Sequence, residues 1–389
     1  MNAIIGQGRF GMLPGLQVLG LLTLVMGGAW LWLGGAALLA CNLLLDLAGD
    51  DYADTVERPN RPFLDAMLYS TVPLVLLLTI GLMLYTAAPG TALASLAASL
   101  GIGANGTTWW VEAAAAVFSA SLLGGWACGS FAHELMHRPT RGEWLLGQLL
   151  LARCLYAAFA LEHVYGHHVH VGTPADVSTP PRGLGFWRYL PRAFTGAIRG
   201  AARIEAKRMR RRGLPLYSIE NRVLQGVLLE VAMVLAVVVF AGLSGLVAFL
   251  VSAVIGVLII ESGNYIGHYG LVRVPGRPVL PRHSWNAPRF FSTSTMVNLP
   301  RHSDHHRSAG TRYWGLAILD NAPFYPYGIA IMSTIALVPP LWFRVTAPYL
   351  ADWDRRLASA EELSLLQGTA ASGQQGAAVP TCRSPAPLI

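Results

Sequence analysis

Residues 223–266 read VLQGVLLEVAMVLAVVVFAGLSGLVAFLVSAVIGVLIIESGNYI. The hydrocarbon core of a bilayer is about 30 Å thick and takes about 20 apolar residues in helix. This stretch is long enough for two crossings. The small-residue loop Gly242-Leu243-Ser244-Gly245 divides it into spans at 223–241 and 246–266. Working outward, the same criterion finds spans at 67–87 and 108–131. The unbroken apolar run 13–48 reads as a tight hairpin of two short spans, 13–33 and 35–48, parted at Gly34-Gly35. Two more apolar stretches, 144–161 and 324–343, carry Arg153 or the prolines Pro326, Pro339 and Pro340, and read as buried or interfacial segments. Hydrophobic residues make up 53% of the 389 and charged residues 13%, the latter about half the share usual in soluble domains. Such a chain cannot cover itself with polar surface, which argues against an ordinary soluble enzyme and excludes collagen, disorder and a disulfide scaffold. The expected fold is all-α: an integral membrane protein of six transmembrane helices in one domain over 1–366. A small, polar tail, 367–389, is expected to be disordered. Only Arg9 precedes the first apolar run and no A-x-A site follows it, so that run reads as a membrane helix, not a removed signal peptide.

Lys and Arg occur only at 9–61, 138–222 and 273–383. With six crossings these regions and both termini share one side, and the loops near 88–107 and 242–245 share the other. The positive-inside rule makes the charged side cytoplasmic. The net charge of +7 is therefore read by its placement. The run Arg203–Arg212 (RIEAKRMRRR) reads as a membrane-adjacent basic helix on anionic lipid, or as a docking patch for an acidic electron-transfer protein. No aromatic or motif context points to nucleic acid. Cys41, Cys128, Cys154 and Cys382 are widely spaced without a CxxC pair, which argues against a zinc ribbon, a fused rubredoxin or a disulfide framework.

The eleven histidines all fall on the charged side or at its membrane boundary. His133 and His137 stand at i, i+4 in HELMH, a spacing that lets two imidazoles meet one metal. His163, His167 and His168 form HVYGHH; His302, His305 and His306 form HSDHH; His268 ends the sixth span in NYIGHYGL. A charge-poor chain has little reason to gather nine imidazoles at one depth unless they bind metal. Nine exceed one tetrahedral zinc and suit two metals of higher coordination number with positions left open, and no thiolate lies among them. Two irons open to dioxygen match best. His170 reads as structural and His283, in HSWN, as a residue supporting the ligands. Glu134, Glu162 and Asp304 sit beside the ligands, where carboxylates orient imidazoles by accepting the second N–H. Direct ligation or proton carriage are the other roles open to them. Asp176 is a further candidate of that kind.

At these residues the chain resembles the membrane-bound alkane monooxygenase (alkane hydroxylase) family, which includes xylene monooxygenase hydroxylase components and belongs to the membrane fatty acid desaturase and hydroxylase superfamily. The strings that carry the resemblance are HELMHR (133–138), EHVYGHH (162–168), NYIGHYGL (264–271), HSWN (283–286) and LPRHSDHH (299–306). It implies a non-haem di-iron centre on the cytoplasmic side of six helices in a bacterial-type inner membrane. It implies His133, His137, His163, His167, His168, His268, His302, His305 and His306 as ligands, and dioxygen as oxidant without haem or flavin. It also implies electrons from a rubredoxin or ferredoxin and its NAD(P)H reductase. Alkane hydroxylases usually carry Glu where this chain has Gly267 and Gln where it has Pro300, so methyl-aromatics compete with alkanes as the substrate. An apolar tunnel should lead to the histidines, with Trp30, Trp32 and Phe63 as bulky stops. A lipid desaturase or hydroxylase of the same superfamily is the first alternative. An intramembrane zinc protease using HELMH, with Glu134 as base, is the second.

Overall fold

The computed structural model describes residues 6–48, 55–102 and 109–372. These are helical apart from loops and one isolated bridge between Asn286 and Phe324. In chain order the helices are α1 (Met12–Met26), α2 (Leu33–Ala48), α3 (Arg61–Thr86), α4 (Ala92–Ser99), α5 (Trp109–Met136), α6 (Arg141–Arg153) and α7 (Ala158–Glu162). There follow α8 (Phe186–Arg211), α9 (Arg222–His268), α10 (Phe290–Thr295), α11 (His302–Arg307), α12 (Ile329–Ala336), α13 (Pro339–Arg356) and α14 (Ala360–Ser372). Among the described residues, five helical stretches are long and apolar enough to cross a bilayer: Gly6–Met26, Gly28–Leu47, Arg61–Thr86, Trp109–Met136 and Arg222–His268.

The last of these, α9, has 47 residues; as one straight rod it would measure about 70 Å, twice the hydrocarbon core and more. It is not straight. Gly242 leaves helical geometry at φ 71°, ψ −163°, a region only glycine occupies at low cost. Near one end of α9, Glu230 accepts a hydrogen bond from the backbone N–H of Ala157, 2.7 Å. Near the other, a Cβ on Gly256 would collide with Cys154 Sγ. Both ends therefore pack on the same short segment, and the chain turns back between them. Ala88 N–H caps the break by donating to Ala241 O, and Ser244 donates to Thr86 O.

The first hairpin turns elsewhere than expected. Gly27 and Gly28 adopt φ 70° and 57° and reverse the chain, whereas Gly34 and Gly35 lie inside α2. Their missing side chains are used for packing: a Cβ on Gly34 would stand 2.9 Å from Gly20 Cα, and one on Gly35 2.7 Å from the Phe118 ring. A glycine pair in an apolar run serves either purpose, and the helix contact took this one.

The stretch 144–161 dips into the bundle and returns. At 13 residues α6 is about 20 Å long, too short to cross. The turn after it carries Leu155 at φ 52°. Irregular backbone inside an apolar bundle must find partners. Gln148 donates to Ala157 O, 3.2 Å, and Arg153 pins the tip by donating to Ala120 O (3.0 Å) and Ser252 Oγ (2.6 Å). The stretch 324–343 is likewise no crossing: it holds the short α12 and the start of α13.

Helix α8 is amphipathic, burying Phe186, Tyr189, Ala193, Ala197, Ala201, Glu205 and Met209 on one stripe and exposing Arg203, Lys207, Arg210 and Arg211 on the other. At the far end of the chain, α14 runs on to Ser372, into the segment expected to be a tail; residues 373–389 lie outside the described residues.

Gly242→Ala should destabilise the protein by about 1–3 kcal/mol, because its Cβ would also meet Ala88 Cβ at 2.8 Å. The check is the thermal unfolding midpoint in detergent, with Gly263→Ala as the control, since nothing lies within 4 Å of that position.

Candidate metal centre

Four segments converge at one end of the bundle. His133 lies in the last turn of α5 and His137 one turn later, with ring centroids 5.0 Å apart. After α7 the chain makes one π-helical turn, His163–His167. The wider turn brings residues five apart face to face, and the Nε2 atoms of His163 and His168 stand 3.0 Å apart. Gly166 leaves room for the Glu162 carboxylate, whose Oε1 lies 2.6 Å from where a Cβ would be. Helix α11 puts His302, His305 and His306 on one face. Asn286, of HSWN, fixes the start of α11, accepting from Ser303 N–H at 2.9 Å and donating to Ser303 Oγ at 2.8 Å. His268 ends α9 and donates from Nδ1 to the carbonyl of His283, 3.1 Å.

The imidazoles sort into two groups. In His133, His137, His163, His168 and His305, one ring nitrogen from each lies within 4.8 Å of the others, and the same holds for His167, His268 and His306. His302 joins the second group, its Nε2 3.0 Å from that of His268 and 3.1 Å from that of His306. The groups touch where the rings of His168 and His306 stack at 4.2 Å.

Burial, reinforced by neighbouring imidazoles, holds His163, His168, His302, His305 and His306 well below the ordinary histidine range and brings His137 down to about 3. These rings are neutral at physiological pH, the form that binds a metal. His167 departs from that pattern. Burial lowers it, but the Asp176 carboxylate, 2.8 Å from Nδ1, raises it by more. Hydrogen bonds at Nδ1 turn the Nε2 lone pairs of His167 and His268 inward. The Nε2 atoms of His133, His137 and His167 are buried with no protein partner. Nitrogen lone pairs 3 Å apart repel unless a proton or a metal cation lies between them. Two nitrogens bound at right angles to one metal about 2.1 Å away stand about 3 Å apart. The donor set therefore fits two nitrogen-ligated metal ions, with no thiolate in either group.

Two of the three carboxylates beside the histidines are engaged by partners outside both groups. Glu134 pairs with Arg138 and accepts from Tyr313 N–H, 3.0 Å. Asp304 pairs with Arg307 at 2.6 Å and accepts from Ala317 N–H at 2.8 Å. Glu162 is buried, its Oε2 has no partner, and burial pushes it up to about 7. His170 is exposed and belongs to neither group. His283 acts on His268 through its backbone carbonyl; its ring turns away to Glu362, 2.8 Å. Asn286 and Glu362 escaped the sequence reading. Asn286 lies inside a quoted string but carries no chemistry of its own. For Glu362 the local signal, Ser359 followed three residues later by Glu, marks only a helix start.

A cavity of about 300 Å³ reaches the histidines. Its lining includes Leu39, Trp187 and Leu337, exposed on the outside of the bundle, and His133, His163 and His302 within. Trp126, Phe159, Trp285 and Tyr325 set its width. Trp30, Trp32 and Phe63 do not line it, and Trp30 is 53% exposed. The expectation that they act as stops is corrected: the tunnel runs between α2, α5, α9 and α12, away from the turn that carries the two tryptophans.

The fatty acid desaturase family model matches residues 107–335. The chain is 40% identical to alkane 1-monooxygenase 1 of Pseudomonas aeruginosa over 56% of its own length and 58% of that protein. It is 35% identical to alkane 1-monooxygenase 2 of the same organism, covering 82% and 84% of the two chains. Identity to the xylene/toluene monooxygenase hydroxylase component of Pseudomonas putida is 30%, over 92% of each. The first alignment thus spans little more than half of that relative, the other two most of theirs.

Asp176→Asn should weaken metal retention about 10- to 100-fold, the usual cost of losing a carboxylate that orients a ligand imidazole. Metal content after dialysis against a graded chelator series reads the effect.

Proposed function

The chain belongs to the fatty acid desaturase family, together with the alkane 1-monooxygenases and the xylene monooxygenase hydroxylase component, and from that premise we propose that it is a membrane monooxygenase with a non-haem di-iron centre. It hydroxylates an unactivated methyl C–H bond, terminal in an alkane or benzylic in a methyl-aromatic. One atom of dioxygen enters the C–H bond and the other leaves as water, with two electrons and two protons consumed. A rubredoxin or ferredoxin with its NAD(P)H reductase supplies the electrons, and the chain itself holds no haem or flavin. The observation that carries this reading is the apolar cavity that joins the outer surface of the bundle to the buried nitrogen donors.

His133, His137, His163, His168 and His305 hold one iron, and His167, His268, His302 and His306 the other. The irons supply dioxygen binding and the redox chemistry. The residues do the rest. Asp176 and the His283 carbonyl fix the tautomers of His167 and His268. Glu134 and Asp304 brace the ligand-bearing helices against the 313–317 segment, and Glu162 packs under the π turn. Trp126, Phe159, Trp285 and Tyr325 exclude water and orient an apolar chain or ring. Gly267 leaves bare backbone on the cavity beside His302. The distribution of Lys and Arg supports six crossings, counting α9 as two, with the histidine end in the cytoplasm of an inner-membrane enzyme. The exposed arginines of α8 lie on that side, available to anionic lipid or an acidic electron carrier. A zinc protease reading finds no support, because its required base, Glu134, is engaged by Arg138 and Tyr313.

Whole cells expressing the chain should convert members of a panel of alkanes, toluene and xylenes to primary or benzylic alcohols, with product position read by mass spectrometry. A desaturated fatty acyl product and no alcohol would overturn the reading. His137→Ala and His305→Ala should each abolish turnover and leave fewer than two irons per chain by elemental analysis, with membrane insertion intact. Gly267→Ala puts a Cβ 3.0 Å from His302 Nε2. It should cut turnover while the protein still accumulates in membranes.

A further inference from the structure

We infer that Glu362, in the final helix, is a positioning residue for the metal centre: it holds the loop whose carbonyl orients His268. Glu362 is 2% exposed although it sits in the first turn of α14. Its two oxygens are fully used. Oε1 lies 2.8 Å from His283 Nε2, Oε2 accepts from Arg282 Nε at 3.0 Å and from Ser359 N–H at 2.8 Å. The direction of the imidazole bond is fixed. Leu280 N–H donates to His283 Nδ1 at 3.0 Å, so the ring proton is on Nε2 and points at the carboxylate. With its ring held at both nitrogens, His283 presents its backbone oxygen to His268 Nδ1, 3.1 Å away. That bond puts the proton of His268 on Nδ1 and turns its Nε2 toward His302, 3.0 Å away. The same loop is tied again by Trp285, whose N–H donates to Gly267 O at 2.9 Å and whose Nε1–H donates to Tyr269 O at 2.9 Å. A hydrogen-bonded path thus runs from a helix near the end of the chain, through His283, to one nitrogen of the second histidine group.

Carboxylate partners of ligand imidazoles change metal affinity by one to two orders of magnitude. Here the carboxylate acts one residue further out, and its target is a single group. The adjacent pair Arg277–Glu361 also ties α14 down, but at 3.4 Å and in solvent; through Arg273 it reaches only the backbone carbonyls of Val169 and Val171, and no ring nitrogen of either group. This separates a role at the metal from simple anchoring of the helix.

The inference rests on the histidine groups being an iron centre. The test is an anaerobic ferrous-iron titration of the full chain in detergent, which needs no hydrocarbon turnover. Two ions per wild-type chain uphold that premise independently of the substrate proposed above. Glu362→Ala should bind one ion as wild type does and the second on the order of 10- to 100-fold more weakly. His283→Ala should do the same, and the double variant should lose no more than either single one, because both break one path. Glu362→Gln keeps an acceptor for the His283 proton and should recover part of the loss. Glu361→Gln should bind both ions normally. Should Glu362→Ala fail to accumulate, Glu362→Gln carries the test alone, with a second ion held several-fold more weakly as the supporting result and wild-type affinity as the contrary one. Wild-type affinity in Glu362→Ala, additive losses, or an equal loss in Glu361→Gln would overturn the inference.

Discussion

Lone pairs of imidazole nitrogen packed against one another out of solvent are the constraint around which this molecule is built. Nine imidazoles share one end of a helical bundle, several with Nε2 atoms about 3 Å apart. Burial denies most of them the protons that would relieve the repulsion in water, since a cluster of imidazolium ions out of solvent would cost far more; His167, beside Asp176, is the exception. A metal cation at the centre of each group meets several of these lone pairs at once. The fold must therefore present lone pairs, not N–H groups, to the interior, and each outer nitrogen that is held by a partner serves that end. Asp176 does so for His167, and the His283 carbonyl for His268.

The surrounding helices make this possible because they cover the irregular backbone at the same depth. A chain segment that enters an apolar bundle and returns exposes backbone groups with no water to meet them. The turn at Leu155 is covered by Gln148, Glu230 and Arg153, three polar side chains that an otherwise apolar bundle spends on one tip. That tip is what lets α7 and the π turn arrive at the histidine end from inside the bundle. His163 and His168 then meet the histidines of α5, and His167 those of α9 and α11. The π turn matters for the same reason: an ordinary α-helical turn would put His163 and His167, not His163 and His168, on one face.

Much of this was legible from residue order because it is local. Four-residue spacing in HELMH and HSDHH states which rings share a face, and the hairpin at Gly242 is announced by small residues between two apolar runs. The glycine pair at 34–35 misled because the same residue type serves reversal and close helix contact. What decides between them is the neighbour across the interface, here Gly20 and Phe118, which no window of sequence contains. The lining of the cavity was illegible for a similar reason. Trp126, Phe159, Trp285 and Tyr325 come from four separate regions of the chain, whereas the tryptophans at 30 and 32 drew attention only by being large.

The position of the site then follows from what must reach it. On the proposed reaction an apolar substrate arrives from the lipid, and electrons and protons come from water. A centre that serves both has to lie where the bundle meets the membrane boundary. The cavity answers the first need, passing from Leu39, Trp187 and Leu337, exposed on the outside of the bundle, to His133, His163 and His302 along an apolar wall. The second need is met at the other face of the same cluster. His137 and His168 there are half-buried, and Tyr165, Val169 and Arg307, near members of the cluster in sequence, are exposed. The apolar route ends at His133, His163 and His302, and the half-buried rings belong to the same cluster. Water is thereby kept from the carbon to be attacked, while charge still has a short way in.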